Sequence, residues 1–92
     1  MLSDKDSTSQ ILAFGVYPGE RHSLLITGAA SVVTLEFKHG DSWFAYPGFD
    51  GTVRPVILFE FLPPVKNMRL SFASAPVTPY TVSCLPQRFE QF

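Results

Sequence analysis

At 92 residues the chain makes one domain, able to fold alone but close to the size at which a single core barely suffices. Apolar residues are 46% of it and charged residues only 16%, against about 25% charged in ordinary soluble domains, so apolar surface is left over for neighbours or sister subunits to cover. The net charge of −1, with its cations scattered and no two adjacent, excludes a basic footprint for nucleic acid.

The elements follow in chain order. Residues 3–10 are polar and without periodicity, and 1–10 are expected to be a flexible arm ordered only by a partner. Residues 11–16 form a first strand with Leu12, Phe14 and Val16 on one face, ended by the Pro18-Gly19 turn. Residues 22–27 form a second strand. Gly28-Ala29-Ala30 is short enough to make a hairpin with the third, residues 31–38. There Val33, Leu35 and Phe37 alternate with Thr34, Glu36 and Lys38, the two-residue period of a half-buried strand.

A turn at His39-Gly40-Asp41 leads into residues 42–46, and the glycine-containing loop 47–51 follows. Residues 56–62 are the most apolar stretch, greasy on both faces. Such a strand is expected to lie with the core on one side and another sheet or subunit on the other. Pro63-Pro64 ends it. Residues 67–74 alternate with Met68, Leu70 and Phe72 inward, and residues 80–85 place Tyr80, Val82 and Cys84 inward. No segment has helical periodicity. Six or seven antiparallel strands at this spacing predict an all-β, single-domain β-sandwich, jelly-roll-like or a small barrel, spanning 11–86, with a C-terminal tail at 87–92.

One cysteine, Cys84, excludes an internal disulfide and fits synthesis in a reducing cytoplasm. No apolar run reaches the roughly 20 residues of a membrane helix, and the polar, acidic start is unlike a signal peptide. Neither membrane nor nucleic acid is expected as a partner.

Catalytic and metal chemistry find few residues. Gly40-Asp41-Ser42 is like the nucleophile block of one hydrolase family, but no histidine follows His39 and no Asp-x-x-His block lies downstream. A strand-joining turn explains the triplet. His22, His39, Asp41 and Cys84 lack the spacing of a metal site; His39 reads as a solvated turn residue and Cys84 as a small core residue. No catalytic residue, cofactor or metal is assigned, and the chain is read as a non-enzyme.

Aromatic residues are the better candidates. Trp43, Phe44, Tyr46 and Phe49 form either a ledge for a partner or a lid on the core. Trp43 and Phe44 are consecutive, so one of them lies off the core. Phe89 and Phe92 in the tail either dock on a partner or sister subunit, each contributing about 1.5–3 kcal/mol when covered, or tuck across the chain's own open sheet edge. Arg54, Arg69 and Arg88 are expected to make rim ion pairs with Glu36, Glu60 or Glu90, each worth little.

Residues 22–85 carry a further cadence: Leu25-Ile26-Thr27-Gly28, Val33-Thr34-Leu35-Glu36, Asp41-Ser42-Trp43, Phe59-Glu60-Phe61-Leu62-Pro63 and Met68-Arg69-Leu70-Ser71-Phe72. It resembles small all-β virion proteins of tailed bacteriophages. Pro63-Pro64-Val65-Lys66-Asn67-Met68-Arg69 stands where that family has a Leu-Pro-x-Gly-x-Tyr-Arg segment. The resemblance implies a capsid decoration (cement) subunit or related head or tail accessory. It would be made in the host cytoplasm, often trimeric, and bound in the virion to the major capsid protein or another virion protein. Decoration works by bridging, in which each copy holds several shell subunits at once. A second expectation, of a different class, is a carbohydrate- or receptor-binding module of a tail fibre or host enzyme, with Trp43, Tyr46 and Phe49 as its platform.

Overall fold

The computed structural model describes residues 1–87. It consists of eight strands, β1 (Leu2–Ser7), β2 (Ile11–Gly15), β3 (His22–Thr27), β4 (Val33–His39), β5 (Ser42–Ala45), β6 (Val56–Phe61), β7 (Asn67–Phe72) and β8 (Tyr80–Pro86). They form two four-stranded antiparallel sheets, ordered β1-β8-β3-β6 and β2-β7-β4-β5. The nested pairs β1·β8, β2·β7, β3·β6 and β4·β5 are the connectivity of a jelly roll, one long hairpin rolled into a sandwich. Its tip is the β4–β5 turn, where Gly40 adopts a φ of 63° that a side chain would resist.

The alternation visible in the sequence builds the core directly. Leu24 and Ile26 from the first sheet meet Leu35, Met68 and Leu70 from the second, all fully buried, and Tyr80, Val82 and Cys84 fill the same layer from β8. In-register pairs across the roll, Leu12 with Leu70 and Ile26 with Ile57, point inward together. A slip of one residue would turn every one of them to solvent.

Two expectations are corrected. The flexible arm is instead β1, paired with β8 from Leu2–Cys84 to Ser7–Tyr80. Its order comes from the backbone ladder and from anchors such as Thr81 Oγ1 donating to Asp6 Oδ1 at 2.6 Å and Tyr80 Oη donating to the Ser9 carbonyl at 3.0 Å. Polar side chains suit an edge strand, so its composition concealed it.

Gly28-Ala29-Ala30 does not close a hairpin. Both sides of β3 are already occupied, by β6 and β8, so the link crosses to the other sheet. Nor does another sheet of this chain cover the second face of residues 56–62: β6 is an edge strand, with Ile57 and Phe61 in the core and Val56, Leu58 and Leu62 exposed.

The loop from β5 to β6 carries the chain between sheets and braces itself. Thr52 donates to Asp50 through its amide (3.0 Å) and hydroxyl (2.6 Å). These two bonds, the hydroxyl's first, hold the Asp50 carboxyl below its ordinary value, with the Arg54 charge assisting. Gly51 accepts the Val33 N–H at 3.1 Å and ties the loop to the start of β4.

Candidate interaction surface

The β3–β6 register decides what the first sheet shows to solvent. His22, Leu24 and Ile26 pair with Phe61, Phe59 and Ile57 and face the core, so Ser23–Glu60, Leu25–Leu58 and Thr27–Val56 face out. On the other side of β3, Leu85, Ser83 and Thr81 of β8 continue those three rows. Leu58 is 62% exposed, Val56 54% and Leu85 40%, with Leu62 open just past the strand and Leu25 half-buried at the centre.

Charge is confined to the margins of this face. Glu60 accepts a hydrogen bond from Gln87 Nε2 at 2.7 Å, and Asp6 is held by Thr81. Covering Val56, Leu58 and Leu85 would contribute about 1 kcal/mol each, since full burial of such side chains is worth about 1.5–3 kcal/mol and they are roughly half exposed.

The outer face of the second sheet differs in character. Arg69 Nε donates to Glu36 Oε1 at 2.6 Å, and its guanidinium lies 4.3 Å from the centroid of the Trp43 ring. The expected rim pair of Arg69 with Glu36 is therefore present, whereas Arg54 turns to Asp50, 3.8 Å away. A shallow hollow of about 400 Å³ beside Trp43 is lined by Ala13, Phe14, Lys38, Asn67 and Met68. Lys38 is its one charged group, and the hollow holds no acid–base pair.

The aromatic ledge is divided by the structure. Tyr46 packs its ring edge-on against Phe61 (5.4 Å) and Phe59 (5.8 Å), and Phe49 does the same against Phe59 (5.2 Å). Both close the seam between β5 and β6. Trp43 lies on the outer face under Arg69, while Phe44 sits opposite Phe37 with 48% of its surface open. The four share no common plane. Phe89 and Phe92 lie outside the described residues.

His22, a fully buried side chain, serves the backbone. Its Nδ1 donates to the Glu20 carbonyl at 2.7 Å and its Nε2 accepts the Tyr17 N–H at 3.3 Å. The ring thus holds the turn before β3, with Tyr17 and Phe61 packed against it. Cys84 is buried, and desolvation pushes its thiol up to about 12 against the opposing pull of the N-terminal charge. His39, Asp41 and Ser42 are exposed around the β4–β5 turn, His39 resting edge-on to Phe44.

Among the described residues no three His, Cys, Asp or Glu side chains gather as a metal site would require. Nor is any helix among them long and apolar enough to cross a membrane.

The face with Leu25, Val56, Leu58 and Leu85 was not singled out from the sequence as a contact surface. Its signal was an apolar residue at every odd position of 56–62 and at every even one except Glu60. In the sequence that pattern suits a strand whose second face is covered by another sheet or by a subunit. The chain matches no family model, no curated protein and no solved structure.

Proposed function

We propose that this protein is a non-enzymatic structural subunit that docks the outer face of its β1-β8-β3-β6 sheet on a larger protein assembly. The assembly is the head shell of a tailed bacteriophage, and the subunit acts there as a decoration or cement protein. The observation that carries the docking role is the uncharged face around Leu58, Leu25 and Leu85. A small domain gains nothing by showing these side chains to water, and an apolar area rimmed by polar residues marks a protein contact. The choice of assembly rests on the cadence of residues 22–85, which resembles phage virion proteins. The fold by itself selects no function, because jelly rolls serve many.

Binding follows from the geometry. The sheet is a rigid support, so the apolar row is presented without an ordering cost at the moment of docking. One copy gains only a few kcal/mol of apolar burial. Several copies bridging neighbouring shell subunits multiply weak contacts into a durable clamp.

The test is composition of the particle. Phage particles purified by density gradient from a culture expressing the native chain should carry it in stoichiometric amount. A Leu85→Asp variant, altered within the face, should stay folded and be lost from the particle band. Particles that lack the native chain, or that retain the variant at the native level, would refute the proposal.

A further inference from the structure

The sandwich has four edge strands, and two of them, β1 and β5, are blunted. β1 bears Asp4, Lys5 and Asp6 and an irregular register between Leu2 and Lys5, both of which discourage a further strand. β5 is four residues long. In β2 the Phe72 N–H donates to the Gln10 carbonyl at 2.9 Å. Its even-numbered residues therefore face β7, leaving Ile11, Ala13 and Gly15 open, with one large side chain among them.

β6 is longer than β5, less charged than β1 and regular in its register. The Gly28 N–H donates to the Pro55 carbonyl, and these two residues are the next pair beyond Thr27–Val56 in the β3–β6 register. Hydrogen-bonded and non-hydrogen-bonded pairs alternate along an antiparallel ladder. Ile57, Phe59 and Phe61 therefore bond β3, and the N–H and C=O groups of Val56, Leu58 and Glu60 point away from it. Among the described residues no hydrogen bond reaches those groups, and β6 has no strand partner except β3. The edge is six residues long, carries one charge and contains no proline.

We propose that β6 pairs antiparallel with β6 of a second copy, across a two-fold axis at Leu58. An apolar face accepts any greasy partner, whereas a row of open backbone groups is a template that another strand matches group for group. A second copy supplies one of matching length and order. Centring on Leu58 sets Leu58 against Leu58 and Val56 against Glu60 of the second copy, so like charges do not oppose and every open N–H and C=O finds a partner. Two four-stranded sheets become one continuous sheet, and the apolar row from Leu25 to Leu58 runs unbroken across the axis. Closure by a two-fold consumes the edge, so assembly stops at a pair, unlike the trimer that the phage resemblance implies. The pairing uses the strand's edge and the docking uses its face, so each stands without the other.

Size-exclusion chromatography with light scattering on the native chain, over a dilution series, is the test. The expected mass is twice 10.2 kDa, falling to one chain for Leu58→Lys, which opposes two cations at the axis, and remaining doubled for Ile11→Lys on the β2 edge. Amide hydrogen exchange on the native chain reads the same contact without any substitution. Val56, Leu58 and Glu60 should be slowed in the doubled species and released on dilution. A native mass of one or three chains, a doubled Leu58→Lys variant, or rapid exchange at Leu58 within a doubled species would each overturn the proposal.

Discussion

Gly51→Ala should be among the most damaging single-methyl additions in the chain, although the backbone there has no positive φ. Gly51 is buried against β4, and its carbonyl accepts the Val33 N–H. A Cβ at this position would fall on the Val33 carbonyl, 2.7 Å from its carbon and 3.0 Å from Phe49 Cε2. Val33 has little freedom to yield, since it is paired with Phe72 in the β4–β7 ladder. The loop must therefore withdraw, losing the Val33 bond and loosening Phe49 from Phe59. Overpacking of this kind costs about 1–3 kcal/mol, and the stranded Val33 amide adds about 1–3 kcal/mol. A total of roughly 3 kcal/mol lowers the melting temperature by roughly 12–24 °C in a domain of this size. Gly48→Ala is the matched control: its φ is 85° but nothing lies within 4 Å of the added carbon, so the cost is backbone strain of about 1–2 kcal/mol. Thermal and urea unfolding of both variants decide the matter. The reasoning fails if Gly51→Ala melts within a few degrees of the native chain, or if Gly48→Ala is the worse of the two.

Three other predictions concern side chains with defined partners. His22→Leu removes the ring acceptor of the Tyr17 N–H and the ring donor of the Glu20 carbonyl, and should cost about 2 kcal/mol in urea unfolding; an unchanged midpoint would deny the ring its role. Cys84, with its thiol pushed up to about 12, exposes about one thiolate in ten thousand at pH 8, so a thiol reagent should label it only at the rate of unfolding. Arg69→Ala strips the cation from the Trp43 ring and the partner from Glu36. Tryptophan emission, from the chain's one Trp, should shift to the red with a stability loss of about 1–2 kcal/mol.

Most of the core was legible because side-chain alternation and burial coincide. Val33, Leu35 and Phe37 in β4, and Met68, Leu70 and Phe72 in β7, point where the two-residue period says they must. The rest depended on facts that alternation does not encode. β1 is polar after Leu2, and only its register with β8 reveals it as a strand. Gly28-Ala29-Ala30 has hairpin length, yet which sheet receives β4 is set by β3 already having two neighbours. In residues 56–62 the two greasy faces were visible, but whether the second was covered depended on the strand's place at the edge. The aromatic group at 43–49 was legible as a cluster. Its division into seam residues Tyr46 and Phe49 and outer residue Trp43 came from the β4–β5 register and the crossing loop.

We propose that the face around Leu25, Leu58 and Leu85 is covered by another protein of a phage shell. A reconstruction of the assembled particle tests it most directly. Density is expected for this jelly roll with its β8-β3-β6 face turned onto the shell and Leu85 out of contact with solvent. Density placing the Arg69–Trp43 face against the shell, with Leu58 and Leu85 open to water, would contradict it.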